Sequence, residues 1–181
     1  MRVVGGTSRG RRLSAPVAKG VRPTSDRVRE SIFDILGSLV DLNGMRVADL
    51  FSGTGALGIE ALSRGAGSVT FVEQDAAAVV SVRANLAAVG LAGPKAIVTR
   101  YDVLDFLRSG TTPFDLALCD PPYGFERWDE LLGLVRADLA VLESGSPLTV
   151  TDRWIVLRSK RYGGTLVTVV RAESEPRGGP G

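Results

Sequence analysis

The sequence predicts an α/β protein with a mostly parallel sheet that is closed by an antiparallel C-terminal hairpin. Two patterns predict this class. Apolar runs of strand length alternate with helical segments between residues 45 and 138, which is typical of parallel sheets. Two β-rich runs, residues 154–158 and 165–170, then flank Tyr162-Gly163-Gly164, as expected of a hairpin. We expect a basic arm over residues 1–23, one α/β domain over 24–172 and a disordered tail over 173–181.

The composition excludes several kinds of active site. Of 181 residues, 44% are hydrophobic and 23% are charged, which is ordinary for a globular protein. The chain has no histidine and a single cysteine, Cys119, so a Ser-His-Asp triad, a Cys-His pair and the usual zinc sites lack their residues. The apolar runs are too short to span a membrane, and no apolar signal segment opens the sequence. We therefore expect a cytoplasmic protein with no metal and no membrane partner.

Positive charge is concentrated near the N-terminus. Residues 1–30 hold eight Lys or Arg against Asp26 and Glu30, a net charge of +6, which leaves −4 for the rest of a chain whose total is +2. This asymmetry predicts an arm that binds phosphate, with a solvated basic terminus as the alternative. Glycines at a bend predict a short, irregular hairpin over residues 3–13. The predicted nucleic-acid contacts are Arg9, Arg11, Arg12, Lys19, Arg22 and Arg27.

An amphipathic helix is predicted to follow the arm. Apolar residues at positions 28, 32, 35, 36 and 39 recur at helical spacing. Thr24 or Ser25 is the candidate N-cap, and Asn43-Gly44 is expected to end the segment. We expect Arg27 and Arg29 to lie on the polar side of the first turn.

A strand, a glycine-rich turn and a second helix come next. Residues 45–51 are predicted to form the strand, and Gly53 and Gly55 would let the backbone approach a ligand closely. Gly58 would let the helix pack on the strand. The following strand ends at Glu73, whose carboxylate can accept hydrogen bonds from both hydroxyls of a ribose. This context predicts a site for an adenosine-containing cofactor.

Two aspartates near this site each have two interpretations. Asp49, inside the strand just before the glycines, would repel a pyrophosphate and attract an amine, or it could cap the helix or bond a turn amide. Asp102 follows the predicted strand 96–100. It either accepts from an adenine amino group or caps a short helix over residues 103–107.

Asp120-Pro121-Pro122-Tyr123 follows the apolar run 114–119, which is predicted to be a buried strand. Ligands bind beyond the carboxyl ends of parallel strands. The prolines donate no N–H, so the Asp120 carboxylate and the Pro121 carbonyl can converge on one amino group, and Tyr123 offers an aromatic face to a planar ring. The alternative is an ordinary turn at the end of a strand. The tetrapeptide resembles the motif of amino-methyltransferases that act on nucleic-acid bases.

The segment after this motif is ambiguous. Residues 128–138 are predicted to form a helix, whereas residues 139–143 either extend that helix or form a strand. We place a fifth strand at residues 139–143. Without it the floor of a base pocket would be missing.

Motifs along nearly the whole chain resemble the bacterial 16S ribosomal RNA guanine-N2 methyltransferases. This resemblance implies a Rossmann-like, seven-stranded methyltransferase sheet with S-adenosyl-L-methionine as cofactor. It also implies one guanine of 16S rRNA, in the small ribosomal subunit, as the acceptor. The compressed segment 137–144 departs from the family's pattern. The motifs are Arg22-Pro23-Thr24 with Arg29-Glu30 and Phe33, residues 49–58 and 60–66, Phe71-Val72-Glu73, Asn85-Leu86, Phe114-Asp115, residues 120–123, and Arg161-Tyr162-Gly163.

The resemblance also assigns roles to the candidate residues. Asp120, Pro121 and Tyr123 would hold the guanine and its exocyclic amine, and Asp49 would lie near the amino group and sulfonium of the cofactor. We expect the enzyme to be a monomer. The complete predicted cofactor site is Asp49, Phe51, Ser52, Gly53, Gly55, Glu73, Gln74, Asp102 and Val103.

Three other functions remain open. A DNA adenine-N6 or cytosine-N4 methyltransferase would use the same tetrapeptide, but such an enzyme generally needs additional chain to read a DNA sequence. An NAD-dependent oxidoreductase would need the glycine loop at residues 53–58, but it would have no use for the tetrapeptide 120–123. A non-catalytic RNA-binding assembly factor explains the basic arm and has no need of the cofactor residues.

Overall fold

One seven-stranded sheet with helices on both faces forms the core. The computed structural model describes residues 1–14, 26–110 and 112–173. The predicted α/β class, including the antiparallel C-terminal hairpin, is confirmed. The helices are α1 (Asp26–Leu39), α2 (Ala56–Ser63), α3 (Ala76–Ala88), α4 (Val103–Arg108) and α5 (Trp128–Leu134). The strands are β1 (Arg46–Leu50), β2 (Ser68–Glu73), β3 (Ala96–Arg100), β4 (Phe114–Cys119), β5 (Ala137–Ser144), β6 (Trp154–Tyr162) and β7 (Thr165–Ala172).

The strand order is β3-β2-β1-β4-β5-β7-β6. Strands β1 to β5 are parallel, and β7 is antiparallel to both β5 and β6. We call the edge where the parallel strands end the carboxyl edge, and the edge where they begin the amino edge. Ligands of such sheets bind at the carboxyl edge, so this edge is where a site is expected.

The sheet buries side chains on both faces because successive residues of a strand point in opposite directions. Leu116 and Leu118 of β4 join one core with residues of α1, α2 and α3. Ala117 and Cys119 join the second core with residues of α4 and α5. Burial also raises the pKa of the Cys119 thiol, so Cys119 is a neutral core residue, as its apolar run indicates.

The predicted boundary between helix and strand after the tetrapeptide is wrong. The helix ends at Leu134 instead of residue 138, and Val135 is already extended, with φ −62° and ψ 122°. Strand β5 starts at Ala137 and pairs with β4 on one side and β7 on the other. These two ladders outweigh the helical propensity of the residues just after Val135. The fifth strand is therefore present and lies inside the sheet.

The N-terminal segment forms the predicted hairpin, and this hairpin is docked on the domain. Val3 N–H donates to Arg11 O at 3.0 Å, and Gly10 N–H donates to Val3 O at 2.8 Å. The bend packs on the ends of α2 and α3, where Thr7 N–H donates to Ser63 O at 2.7 Å. Since both helices run back from the carboxyl edge, the bend lies toward the amino edge.

Arg29 is buried, which corrects its predicted place on the polar side of α1. Its side chain is 0% exposed and pairs with Asp26 at 2.9 Å and with the equally buried Glu60 at 3.7 Å. It also donates to the carbonyl of Arg2, and Glu60 accepts from Val4 N–H at 2.8 Å. This network ties α1, α2 and the N-terminal hairpin together.

Several predictions fall outside the described residues. The candidate caps Thr24 and Ser25, the predicted contacts Lys19 and Arg22, and residues 174–181 of the predicted tail belong to this group. Glu173, the first residue of that predicted tail, is described, and its N–H donates to Arg153 O at 2.7 Å. Within the described ranges, no helix has the length and apolar character needed to cross a membrane.

Replacing Gly58 by alanine should destabilise the protein although alanine is the better helix former. A Cβ at residue 58 would lie 2.4 Å from Phe71 Cε1 and 2.8 Å from Asp49 Oδ2, and both residues are buried. We expect a loss of about 1 to 3 kcal/mol in the free energy of unfolding, measured by urea denaturation. Gly37→Ala on α1 is the matched control, because its Cβ would meet no atom of the described part of the chain within 4 Å. That control should gain up to about 1 kcal/mol. A gain in both variants would show that Gly58 is not needed for packing.

Candidate nucleotide and acceptor site

Three carboxylates from neighbouring strands meet at the carboxyl edge. Asp49 lies near the end of β1, Glu73 ends β2, and Asp120 directly follows β4. Strand β1 pairs with β2 on one side and with β4 on the other, and Asp49 is in register with Phe71 and Leu118. The structure thus brings together the predicted cofactor and acceptor residues.

Asp49 is 1% exposed, and this burial raises its pKa well above the ordinary value. The Gly58 N–H, which donates to Asp49 Oδ2 at 2.9 Å, opposes that shift. The charges of Asp120 and Glu73 raise the pKa further. Because Gly58 lies in the first turn of α2, the bond from its N–H matches the interpretation in which Asp49 caps the start of that helix. A cationic ligand would offset the cost of charge on Asp49.

The loop after β1 has a backbone shape that leaves one side open. Phe51, Gly53 and Gly55 all have positive φ, of 62°, 52° and 77°. Ser52 fixes the start of the loop, since its N–H donates to Val72 O at 3.0 Å. Among the residues that the structure describes, a Cβ added to Gly53 would meet only Phe51 O, at 3.9 Å, so a ligand can approach the backbone there.

Glu73 reaches this loop through its side chain. Its Oε2 accepts from Gly53 N–H at 2.8 Å, and its Oε1 accepts from Asp75 N–H at 2.9 Å. Each carboxylate oxygen can accept a second hydrogen bond. Gln74 beside it is exposed, and its carbonyl accepts from Arg100 Nε at 3.2 Å.

Asp102 caps α4, which confirms one of its two interpretations. Its Oδ1 accepts from Leu104 N–H at 2.9 Å and from Asp105 N–H at 3.1 Å. Val103 is buried in the core at the start of α4. The Oδ2 atom of Asp102 takes no part in the two cap bonds, so contact with a ligand stays a prediction.

The tetrapeptide 120–123 is anchored in the protein at its start and exposes an aromatic side chain at its end. Pro121 is buried, Asp120 is half-buried and Tyr123 is 97% exposed. The chain turns after it, with Phe125 N–H donating to Pro122 O at 3.1 Å. A tyrosine ring at the surface, next to a carboxylate, is available to stack on a planar ligand.

An aromatic cluster that sequence reasoning missed supports the tetrapeptide. The Phe125 ring lies 5.3 Å from the Phe51 ring and 5.4 Å from the Trp128 ring, both in edge-to-face geometry. Phe51 belongs to the glycine loop, and Phe125 follows the tetrapeptide. The cluster therefore fixes the two halves of the site relative to each other.

Asn85 is a second residue without a predicted role. It is 1% exposed on α3, and its Nδ2 donates to Thr54 O and to Ser14 O, each at 2.9 Å. Its Oδ1 accepts from Ser14 N–H at 2.8 Å. Asn85 thus joins the end of the N-terminal hairpin to the glycine loop. An asparagine among the apolar residues of a helix is the signal that could have identified it.

The predicted nucleic-acid residues that the structure describes belong to the N-terminal hairpin and to α1. Arg9, Arg11, Arg12 and Arg27 are exposed. Arg11 lies at the end of α3, where a Cβ on Gly90 would come within 2.9 Å of its Nη1. The cations at the bend of the N-terminal hairpin therefore lie away from Asp120.

The candidate site is identified by its chemistry more than by its shape. A groove of about 500 Å³ opens at the amino edge, among residues such as Leu39, Asp115 and Arg171. It lies at the far end of the strands from Asp49 and Asp120. The carboxyl edge has the convergent carboxylates, the open glycine loop and the exposed tyrosine.

The residues of the carboxyl edge fit S-adenosyl-L-methionine. Burial and two neighbouring carboxylates disfavour the charged form of Asp49, and a ligand with an ammonium and a sulfonium would offset that cost. The open backbone at Gly53 leaves room for such a ligand. Glu73 provides carboxylate oxygens beside that backbone for ribose hydroxyls.

Comparison with known proteins agrees with this geometry. The family model described as "Conserved hypothetical protein 95" matches residues 1–171. "Ribosomal RNA small subunit methyltransferase D" of Escherichia coli (strain K12) is 34% identical over 186 residues, which cover 97% of this chain and 91% of that protein. The chain belongs to the small subunit rRNA methyltransferase D family.

Two further proteins show a similar likeness to this member of the small subunit rRNA methyltransferase D family. "Putative rRNA methyltransferase YlbH" of Bacillus subtilis is 36% identical over 184 residues, which cover 94% of this chain and 98% of that one. The solved structure "Putative methyltransferase yhhF from Escherichia coli" has a TM-score of 0.84 at 32% identity, and covers 97% of this chain and 99% of that one. The seven-stranded methyltransferase fold implied by the resemblance is therefore confirmed.

Proposed function

We propose that this protein transfers a methyl group from S-adenosyl-L-methionine to the exocyclic N2 amine of one guanine in 16S rRNA of the small ribosomal subunit. The enzyme would act in the cytoplasm as a monomer. The observation that carries the proposal is the position of Asp120 and the exposed Tyr123, which lie at the carboxyl edge beside the buried Asp49. Membership of the family supports rRNA as the substrate class.

The acceptor amine is a poor nucleophile because its lone pair is conjugated with the guanine ring. Asp120 Oδ and the Pro121 carbonyl would accept the two N–H bonds of the amine and so favour its pyramidal, nucleophilic form. Tyr123 would stack on a guanine taken out of its surroundings. Asp120 or water then takes the proton that the nitrogen loses, and these residues act mainly by positioning.

The other residues would hold the cofactor. Asp49 would face the ammonium group of the cofactor, Glu73 would bind the ribose hydroxyls, and Asp102 would bind the adenine amino group. The loop residues next to the bound cofactor would be Phe51, Ser52, Gly53 and Gly55. Gln74 and Val103 would flank the adenosine. Bound S-adenosyl-L-methionine supplies an electrophilic methyl group with a good leaving group.

The cations of the N-terminal segment would contact phosphates of the rRNA. Arg9, Arg11 and Arg12 are exposed, as phosphate contacts must be, and Arg27 is exposed on the first turn of α1. Lys19 and Arg22 complete the proposed set. Because the bend of the N-terminal hairpin lies toward the amino edge, its contacts would be made at a distance from the target base.

The direct test is to identify the product. The protein is incubated with small subunits that lack the modification and with methyl-labelled S-adenosyl-L-methionine, and the digested RNA is analysed for the labelled nucleoside. We expect N2-methylguanosine. Label in N6-methyladenine of DNA would favour a DNA methyltransferase, and the absence of any transfer would leave RNA binding without catalysis.

Glu73→Ala should weaken binding of S-adenosylhomocysteine, the demethylated cofactor, by about 1 to 3 kcal/mol. The variant loses the proposed acceptors for both ribose hydroxyls, and it loses the hydrogen bond that Glu73 Oε2 accepts from Gly53 N–H. Isothermal titration calorimetry measures the change.

Glu173→Ala is the matched control for this prediction, since Glu173 is exposed and lies at the amino edge. It should bind like the wild type, and NAD should bind to none of these proteins. An affinity of Glu73→Ala equal to that of the control would contradict the proposed ribose contact.

A further inference from the structure

The β6–β7 hairpin carries positive charge and contains no acidic residue of its own. Residues 154–172 contain Arg158, Lys160, Arg161 and Arg171 and no Asp or Glu. Strand β6 lies at the edge of the sheet, and Arg158, Lys160 and Arg161 are exposed. We call Arg158, Lys160, Arg161 and Tyr162 the β6–β7 tip. It has no role in the proposed mechanism so far.

Strand register places this tip at the carboxyl edge. Ser144, at the end of β5, is in register with Leu166 of β7, and Leu166 is in register with Arg161 of β6. The turn of the hairpin, between Tyr162 and Thr165, therefore projects at the same edge as Asp120. The acidic residue that β5 brings to this end, Glu143, is buried.

Contacts bring the β6–β7 tip next to the acceptor side of the site. Arg161 Nη1 donates to Gly145 O at 3.3 Å. A Cβ on Gly145 would lie 3.6 Å from the Tyr123 hydroxyl, so Gly145 separates the Arg161 guanidinium from the Tyr123 side chain. On the other face of β6, Lys160 Nζ lies 5.1 Å from the centre of the Tyr162 ring. That cation–π contact holds the ammonium at the surface.

The strand order separates cofactor and acceptor sides. Glu73 ends β2 and Asp102 comes after β3. In the opposite direction along the sheet, Asp120 follows β4 and the β6–β7 tip lies beyond β5. An RNA strand that reaches Asp120 from the side of β5 would pass the β6–β7 tip. The carboxylates of the edge repel its phosphates, so cations beside Tyr123 are needed to hold the strand close.

We propose that the β6–β7 tip binds the RNA phosphates next to the target nucleotide, with Arg161 and Lys160 as the main contacts. This inference rests on the proposed function and names a part of the rRNA interface that the N-terminal segment does not provide. Arg161 positions the strand beside Tyr123, and Lys160 extends the contact to the other face of the hairpin. Neither residue touches the reacting atoms.

The test compares two double variants that each remove one Lys and one Arg. Lys160→Gln with Arg161→Gln alters the β6–β7 tip. Lys95→Gln with Arg136→Gln is the matched control, since both residues are exposed and directly precede β3 and β5 at the amino edge. The measurements are KM for unmodified small subunits, affinity for S-adenosylhomocysteine, and affinity for a 16S rRNA transcript as a function of salt.

For the tip variant we expect KM for small subunits to rise about tenfold, with affinity for S-adenosylhomocysteine unaltered. The slope of log affinity against log salt should fall by about 0.7 to 0.9 for each lost contact. The control should match the wild type in all three measurements. Exchanging the two residues, Lys160→Arg with Arg161→Lys, keeps the charge and should restore the slope, which a purely structural role of Arg161 would not.

Failure of this inference is distinguishable from failure of the proposed function. If the wild type methylates small subunits but the tip variant matches the control in KM and salt slope, the β6–β7 tip is not an RNA contact. If the wild type transfers no methyl group, the proposed function fails, and the salt slopes with the transcript still decide the inference: equal slopes overturn it. Melting temperatures of all variants confirm that each is folded.

Discussion

Asp120→Ala should lose methyl transfer by about 10²-fold or more in kcat/KM, the effect expected of removing one electrostatic contact to a reacting group. The carboxylate is placed to accept from the acceptor amine, so its loss leaves the developing charge on nitrogen uncompensated. The same change should leave cofactor binding nearly intact, because the lost attraction of Asp120 for a cationic ligand is offset at Asp49. Asp120 contributes to the raised pKa of Asp49, so its removal lowers that pKa and favours the ionised form that attracts the ammonium group. Transfer assays and calorimetry with S-adenosylhomocysteine measure the two effects.

Asp120→Asn and Asp105→Ala complete this experiment. Asparagine keeps one carbonyl acceptor and should retain more activity than alanine. Asp105 is an exposed carboxylate on α4, so its removal tests whether loss of charge near the carboxyl edge is enough to impair transfer. Near-normal turnover of Asp120→Ala would remove Asp120 from the catalytic assignment. Weakened cofactor binding in that variant would instead place Asp120 in the cofactor site.

Arg29→Met should lower the free energy of unfolding by about 3 to 5 kcal/mol, because it leaves the buried Glu60 without one of its cations. The variant also loses the hydrogen bond to Arg2 O, which holds the N-terminal hairpin against α1. Urea denaturation followed by circular dichroism measures the loss as a shift of the midpoint at constant slope.

Arg27→Met is the matched control, since Arg27 is exposed on the same turn of α1. Its effect should stay within about 0.5 kcal/mol. Adding Glu60→Gln to Arg29→Met should recover part of the loss, because the buried negative charge is removed while an acceptor for Val4 N–H remains. Equal stability of Arg29→Met and Arg27→Met would show that the buried pair contributes nothing net.

The parts of the site that sequence predicts well are those encoded locally. The glycine loop follows a strand and opens a helix within ten residues, and Asp120 directly follows an apolar run of strand length, so each could be placed without the rest of the fold. Their meeting at one edge follows from the rule for parallel strands. The cap role of Asp102 was one of two local alternatives, and the structure decides it through Leu104 and Asp105.

The parts that sequence predicts poorly depend on contacts between distant segments. Arg29 is spaced four and seven residues before Phe33 and Leu36, which places it on the buried face, but its partner Glu60 lies on another helix. Gly133 lies at the end of α5, but no glycine or proline follows it until Gly145, so local propensity continues the helix into residues that pair with β4 and β7. The role of Asn85 in joining two segments can be recognised only in the folded protein, where Ser14 and Thr54 lie next to it.

The position of β7 has a consequence for synthesis on the ribosome. This strand is made after the other six, yet it lies between β5 and β6. Until residues 165–172 emerge, β5 exposes a row of unpaired backbone groups flanked by Ala140, Val141 and Leu142, and β6 lacks the strand that it pairs with. Unpaired apolar edges join readily with other chains. A nascent chain that stalls within β6 is thus expected to aggregate or to need a chaperone, and release of the last strand ends that exposure.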